Sequence, residues 1–573
     1  MIESQLSRRA LLRATVAASA GLVAGPVLLR GLPAIAATTS FVDNYQTNIG
    51  ANVTVDTNAA VRALSGMQRL WRTGAAWNTG TVLDCPTLHA SMRYVARISR
   101  TRTAADEARA FVQDRQHQSY AAISGLGPWA GRYKAGALAV TSITSAPAGT
   151  PPTTVDDTVP AGAPAGSTLG AGSPTSALGQ VVTLVNTLRG SFSSGNPSKA
   201  AYQYPRPWRM TADSVVVDTG KVDALGFPVY DSPVTVVPQL LRQRSATPAT
   251  DGGFPSGHTN AFFLAALAFA YAIPERFQEL VTAAFDLAET RIVAGMHSPV
   301  DVIGGRILAT ALAAAILNDP ANATLKAAAR AQALAYFGSK VPGGPDAYGD
   351  RAANERLVTP KLTYGLPRGR STAAFTVPKG AEVLLETRHP YLSAGQRREV
   401  LRTTAIGAGW PLLDGPEGWG RLNLFAAADG YGAFDRDVVV SLDGADAWRN
   451  DVDGCGGLVK TGPGTLTLTG DNSYRGGTTI AAGTLVAASC RALGSGDLVV
   501  AGGGTLAVSR TVGLGGEAAL GGTLRLDDDA CRDLTVLRAR RVRGRFARVL
   551  APAGYRADVS YSRTAVTVRL HRS

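Results

Sequence analysis

The sequence predicts a multidomain protein in which an all-α helical bundle precedes a small all-β unit of β-solenoid type. Apolar residues recur at helical spacing through much of residues 55–340, as in Val61, Leu64, Met67, Leu70 and Trp71, again from Leu88 to Ile98, and at Val181, Leu184, Val185 and Leu188. From about Val438 the period changes. The stretch "GLVKTGPGTLTLTGDNSYRGGTTIAAGTLVAAS" alternates apolar and polar residues between glycine-rich turns, which is strand chemistry. At 573 residues the chain is also too long for one ordinary core.

In chain order, residues 1–36 read as an export signal. Ser7-Arg8-Arg9-Ala10-Leu11-Leu12 opens it, a short apolar stretch from Ala14 to Leu29 follows, and Ala34-Ile35-Ala36 supplies a small-residue cleavage pattern. The arginine pair resembles a twin-arginine signal. A membrane anchor is the competing reading, but the apolar stretch is short and glycine-rich for a span. Phe262–Ile273 and Ile307–Leu317 are apolar yet too short to span, so they read as buried core helices, and no integral span is expected in the mature chain. The mature protein is expected to begin near Ala37 and to act as an exported protein: periplasmic, extracellular or on the cell surface.

Residues 37–340 form the expected helical domain. Within it, residues 144–178 are Pro, Ala, Gly, Ser and Thr with almost no large apolar side chain, and read as an inserted flexible loop or linker. Residues 341–440 mix turns with two short helices, one starting at Ser393, where Gln396 completes a capping-box pattern. Residues 441–573 form the β-repeat unit. Its Gly-Thr-Leu triplets at Gly464, Gly483, Gly504 and Gly522 lie 18 to 21 residues apart, the period of stacked β-coils. An ordinary β-sandwich is the alternative.

Net charge is +14, but nine of those charges lie between Arg532 and Arg572, where eleven arginines meet two aspartates. The basic balance therefore says little about the helical domain. It raises an anionic surface or polysaccharide as a partner of the C-terminal unit, against the plainer reading of a strand with arginines on its solvated face. No specific nucleic-acid partner is expected. Cys85, Cys455, Cys490 and Cys531 show no metal-ligand spacing; one disulfide and unpaired thiols both remain open.

Three segments carry chemistry. They are Lys199-x6-Arg206-Pro207, Pro255-Ser256-Gly257-His258, and Arg291-x5-His297-x3-Asp301. Lys199, Arg206 and Arg291 suit a phosphoryl dianion, the arginines by paired donation and the lysine as a point charge. Ser256 and Gly257 precede an apolar helix, whose N-terminus offers backbone N–H groups to an anion. Ser298-Pro299-Val300-Asp301 reads as a second helix start, after a helix expected over roughly Glu275–Ala294. His297, with a carboxylate four residues on, is the better nucleophile candidate, and His258 fits the leaving-group acid. No metal is required, because fixed cations and helix ends can neutralise the charge.

Together these segments resemble the three motifs of the type 2 phosphatidic acid phosphatase superfamily, which includes class A bacterial acid phosphatases, lipid phosphatases and vanadium haloperoxidases. The resemblance covers roughly residues 60–340 and departs where Thr290 replaces the serine before Arg291. It implies a helical-bundle phosphatase domain in which Lys199, Arg206, Ser256, Gly257 and Arg291 bind phosphate. His258 would be the acid, His297 the nucleophile and Asp301 its partner. "LVKTGPGTLTLTGDNSYRGGTTIAAGTL" is similar to the autotransporter-associated β-strand repeat, although only about 40 residues follow the repeats, too few for a translocating barrel. The leading expectation is a secreted, metal-independent acid phosphatase that hydrolyses small phosphomonoesters through a phosphohistidine. A vanadium-dependent haloperoxidase is one alternative, in which vanadate would be a cofactor and not an inhibitor. A cell-surface binding protein with an inactive phosphatase-like domain is another.

Overall fold

A computed structural model describes residues 40–527 and 533–572. The expected export signal and Cys531 fall outside these residues. The helices that build and surround the site are α1 (Cys85–Thr101), α2 (Ala104–Arg115), α3 (Gly179–Leu188), α4 (Asn196–Tyr202), α5 (Gly257–Ala272), α6 (Phe277–Val293), α7 (Pro299–Asn318) and α8 (Ala323–Phe337). Helices α5 and α7 are apolar on every side, so they become the central pair, buried along nearly their whole length. The apolar run of α7 extends N-terminally beyond Ile307–Leu317. It continues through Arg306, which is buried and donates to the backbone oxygens of Leu362 and Leu422 at 3.2 and 3.4 Å. Among the described helices α7 alone is long and apolar enough to cross a membrane, and it lies wholly inside the protein.

The N-terminal part is helical but not all-α. Trp71–Arg72 pairs with Thr81–Val82, and Asp218–Val222 pairs with Pro228–Tyr230, each as a two-stranded antiparallel sheet. These strands are too short to show a period in the sequence. The segment 144–178 has no helix, as its composition requires, but it is an anchored loop and not a linker. Arg115 donates from Nε to the Val155 oxygen (2.6 Å), Tyr133 donates to the Ala171 oxygen (2.9 Å), and Arg242 donates to the Pro151 oxygen (2.7 Å). Asp157 accepts from the backbone N–H groups of His117 and Ser142 at 3.1 and 2.9 Å. Residues 341–440 contribute helices Arg351–Lys361 and Ala394–Thr403, and the Ser393–Gln396 capping box forms in both directions.

From Val438 the chain winds into a parallel β-solenoid of about five turns. The first two and last two coils each contribute two short strands, while the two between them each run as one longer strand, Thr478–Ala487 and Leu498–Val508. Val438, Leu458, Thr478, Leu498, Ala518 and Val542 stack in register along one wall. The leucines of the Gly-Thr-Leu triplets, Leu466, Leu485, Leu506 and Leu524, stack along the other and are almost fully buried. The 18–21-residue spacing therefore marks one coil, and each triplet leucine fills the same core layer as its neighbours. In the first coil Asp446 occupies that ladder position. Arg388 holds it with two contacts of 2.9 Å, Tyr391 donates its hydroxyl at 2.5 Å, and His389 lies at 3.3 Å. Burial opposes the Asp446 charge, but Arg388 and the other donors win and hold it well below the usual carboxylate range. That cluster docks the solenoid onto the preceding region, and Ser40 onward forms one compact unit. A four-stranded sheet, antiparallel except for Val512–Gly513, closes the end. Cys85, Cys455 and Cys490 are exposed free thiols.

Candidate active site

Lys199 lies on the last turn of α4, which ends where Gln203 takes a left-handed conformation (φ 44°) and turns the chain back. Lys199 Nζ donates to the Gly252 oxygen (2.8 Å), and Arg206 Nε donates to Asp251 (2.8 Å), which Arg209 also holds at 3.0 Å. Gly253 N–H donates to the Tyr204 oxygen at 2.7 Å. The loop before the second segment is thereby clamped against the first.

Ser256 is the N-cap of α5. Its Oγ accepts from Thr259 N (3.3 Å) and Thr259 Oγ1 (3.0 Å), so Gly257 is the first residue of the helix and does not precede it. A Cβ built at Gly257 meets no protein atom within 4 Å. A Gly257→Ala protein should therefore fold with an unchanged melting temperature, since alanine favours the helix. Its new methyl would occupy the space in front of the helix N-terminus. We expect phosphate or vanadate affinity, measured by inhibition, to fall about 10²-fold, the scale of a 1 Å misplacement.

The third segment follows α6. Arg291 sits on its last turn, and Gly295, at φ 72°, reverses the chain against the Thr235 carbonyl, where any Cβ would clash. His297 follows, then Ser298 caps α7 and Pro299 takes the first helical position. Asp301 closes the capping box, accepting from Ser298 N (2.8 Å) and Ser298 Oγ (3.1 Å). Ser256 N–H donates to the Asp301 backbone oxygen (2.9 Å), which ties the second segment to the third. Thr290 turns its hydroxyl to the Leu287 carbonyl within its own helix (2.6 Å), so the departure from the family serine is absorbed locally.

The three segments converge on His297. Its Nε2 lies 3.1 Å from Arg206 Nη1, and its Nδ1 lies 3.6 Å from Asp301 Oδ2. An arginine can only donate, so the neutral ring offers its Nε2 lone pair and carries its proton on Nδ1, toward Asp301. The 3.6 Å separation is ion-pair distance, longer than a hydrogen bond, because the capping box already engages Asp301 Oδ2. Burial, with Arg206 and Lys199 nearby, holds the His297 pKa well below its ordinary value, so the ring is neutral at pH 7.

Two acids here carry no motif. Asp114, on the last turn of α2, is buried and forms an ion pair with Arg291, and its backbone oxygen lies 3.2 Å from His258 Nε2. A carbonyl only accepts, so His258 carries a proton on Nε2. Burial opposes ionisation of Asp114, but Arg291, His258 and Arg115 hold its pKa at about 2. Asp251 is the other, bound to Arg206 and Arg209. No pattern in the sequence links position 114 to 291; both stand out only once the helices pack.

Arg291 Nε is buried without a hydrogen-bond partner and is a donor ready for an anion. Burial lowers His258 to about 3 and, with Arg206 beside it, lowers Lys199 to about 7; burial raises Asp301 to about 7. An anion raises the Lys199 pKa above its ligand-free value, so affinity is full below about pH 7 and falls as pH rises from there toward the bound-state pKa. Vanadate inhibition should thus weaken up to about tenfold per pH unit above 7, and Lys199→Met should flatten that slope.

The model of the PAP2 superfamily matches residues 180–325, a span that holds all three segments. This chain contains a PAP2 superfamily domain. The passenger-associated-transport-repeat model matches residues 458–487, inside the solenoid. The chain is 43% identical over 56 residues to a non-specific acid phosphatase of Salmonella typhi, covering 10% of this chain and 22% of that protein. It is 35% identical over 158 residues to an extracellular serine protease of Serratia marcescens, covering 21% of this chain and 15% of that protein. It is 37% identical over 117 residues to the Neisserial autotransporter lipoprotein NalP of Neisseria meningitidis, covering 19% and 11%. The chain thus spans less than a quarter of the length of each of these relatives. Among the described residues no group of His, Cys, Asp and Glu is arranged to hold a metal ion.

Proposed function

We propose that this PAP2 domain is an acid phosphatase for small phosphomonoesters and works through a phosphohistidine at His297, on an exported or cell-surface protein. The observation that carries the reading is the placement of His297, with Nε2 3.1 Å from Arg206 Nη1 and Nδ1 3.6 Å from Asp301 Oδ2. Lys199, Arg206, Arg291, the Ser256 hydroxyl and the Gly257 N–H donate to the phosphoryl oxygens. Nε2 attacks phosphorus as the bond to the ester oxygen breaks; His258, protonated as the dianion arrives, gives that oxygen a proton. Asp301 stabilises the imidazolium character that develops on His297. Water then attacks phosphorus, the N–P bond breaks, and His258 takes the water proton. The similarity to acid phosphatases favours this reading over halide oxidation. The similarity to autotransporter and extracellular proteins supports export. The test is p-nitrophenyl phosphate turnover in EDTA, inhibited by micromolar vanadate. Absence of turnover on every phosphomonoester tried, across pH 4–8, would overturn it.

A further inference from the structure

The last rung of the solenoid is built largely of arginine. Strands Arg541–Gly544 and Arg548–Leu550 pair in parallel with Glu517–Leu520 and Thr523–Leu526. Val542 and Val549 continue the inner ladders over Ala518 and Leu524, while Arg541, Arg543 and Arg548 stand outside, beside Glu517, Ala519 and Thr523. The closing antiparallel sheet is tied to this rung, with Val542 N–H donating to the Arg563 oxygen (2.7 Å) and Ala539 N–H to the Thr564 oxygen (3.0 Å). In its strand Ala565–Arg572, Val566, Val568 and Leu570 point inward and Arg569 outward, the alternation the sequence predicts. All ten arginines from Arg538 to Arg572 are exposed. Among the described residues their carboxylate partners are few: Glu517 meets Arg540 and Arg543, and Asp533 meets Arg569. From Asp527 to Arg572 the sequence holds eleven arginines and no lysine against five aspartates.

One or two charges suffice to keep an open sheet edge from pairing with another chain. This end carries many more, all as guanidinium, the cation that grips carboxylate, sulfate or phosphate with two parallel hydrogen bonds. We propose that this end of the solenoid binds a linear polyanionic glycan, whose repeated acidic groups meet successive arginines. Along one strand, Arg541 and Arg543 share a face at about 7 Å spacing, which suits a polymer lying across the rung. An anionic membrane fits less well, because no large apolar side chain between residues 533 and 572 is exposed to insert beside the charges. Nucleic acid fits less well too, since Phe546 is buried, Tyr561 is covered by Arg545 and Tyr555 is half-buried, so among the described residues this end offers no fully exposed ring for a base to stack on.

The test uses the full mature chain on immobilised heparin and polygalacturonate, with dextran as the neutral control. The Arg541→Gln, Arg543→Gln, Arg545→Gln, Arg548→Gln quadruple variant is compared at several salt concentrations. Binding to both anionic glycans but not to dextran is expected, with affinity falling at least tenfold in the variant and a shallower dependence on salt. Phosphatase turnover and melting temperature should be unchanged, which separates this result from the fate of the active-site reading. Equal glycan affinity in the variant, or tighter binding of the wild type to duplex DNA or to phosphatidylserine vesicles, would overturn it. So would no binding at all.

Discussion

Replacing His297 with alanine should leave a folded protein whose turnover of p-nitrophenyl phosphate falls by about 10⁴-fold or more. The size follows from the division of labour in the site. Lys199, Arg206 and Arg291 can still bind the phosphoryl group, and the α5 N-terminus still offers its N–H groups, so binding persists. The covalent step loses its nucleophile, because the His297 Nε2 lone pair that faces Arg206 is gone. kcat should collapse while KM moves little. Unchanged circular dichroism and a retained, if weaker, vanadate-induced rise in melting temperature would show that the site is still assembled.

The second large effect concerns Asp114. Removing it leaves Arg291 charged and buried without its ion-pair partner, a loss of the kind that costs about 3–5 kcal/mol. Asp114→Ala should therefore lower stability markedly, measured by chemical denaturation. Asp114→Asn keeps the shape and the backbone carbonyl that receives His258 Nε2–H, and removes only the charge. In that variant we expect only part of the stability to return, because the amide oxygen can still accept from Arg291 but the buried charge stays uncompensated. Arg291 would be less well placed, and kcat/KM should fall about 10²-fold, as for loss of one preorganised contact to the developing charge. Asp114 acts through Arg291 and His258, so it is a positioning residue. Its signature is a changed pH profile: without the neighbouring carboxylate His258 gains its proton less readily, and the activity optimum should move to lower pH.

The motif residues were legible because each segment is local. Ser256 and Ser298 announce helix starts by their own side chains, and the spacing of Arg291, His297 and Asp301 spans one helix end, one turn and one helix start. The solenoid was legible for a similar reason: one coil is one sequence period, so Leu466, Leu485, Leu506 and Leu524 repeat along the chain as they stack in space. Asp114 and Asp251 were not legible. Asp114 is an ordinary helix acid until α2 packs against α6, and position 291 lies far along the chain from it. The order of segment 144–178 was hidden for another reason. Apart from the Asp157 carboxylate, its anchors are backbone oxygens that accept from Arg115, Tyr133 and Arg242, which side-chain composition does not record. Asp446 stands where the period calls for leucine, and its purpose appears only beside Arg388 and Tyr391.

The most direct test of the central claim is to trap the phosphoenzyme. A rapid quench of the protein with radiolabelled phosphomonoester should yield a label stable in alkali and labile in acid, as a phosphoramidate is. Peptide mapping should place it on His297, and the His297→Ala protein should take up none. A label on any other residue, or single-turnover product formation with no labelled protein at any time point, would contradict the account.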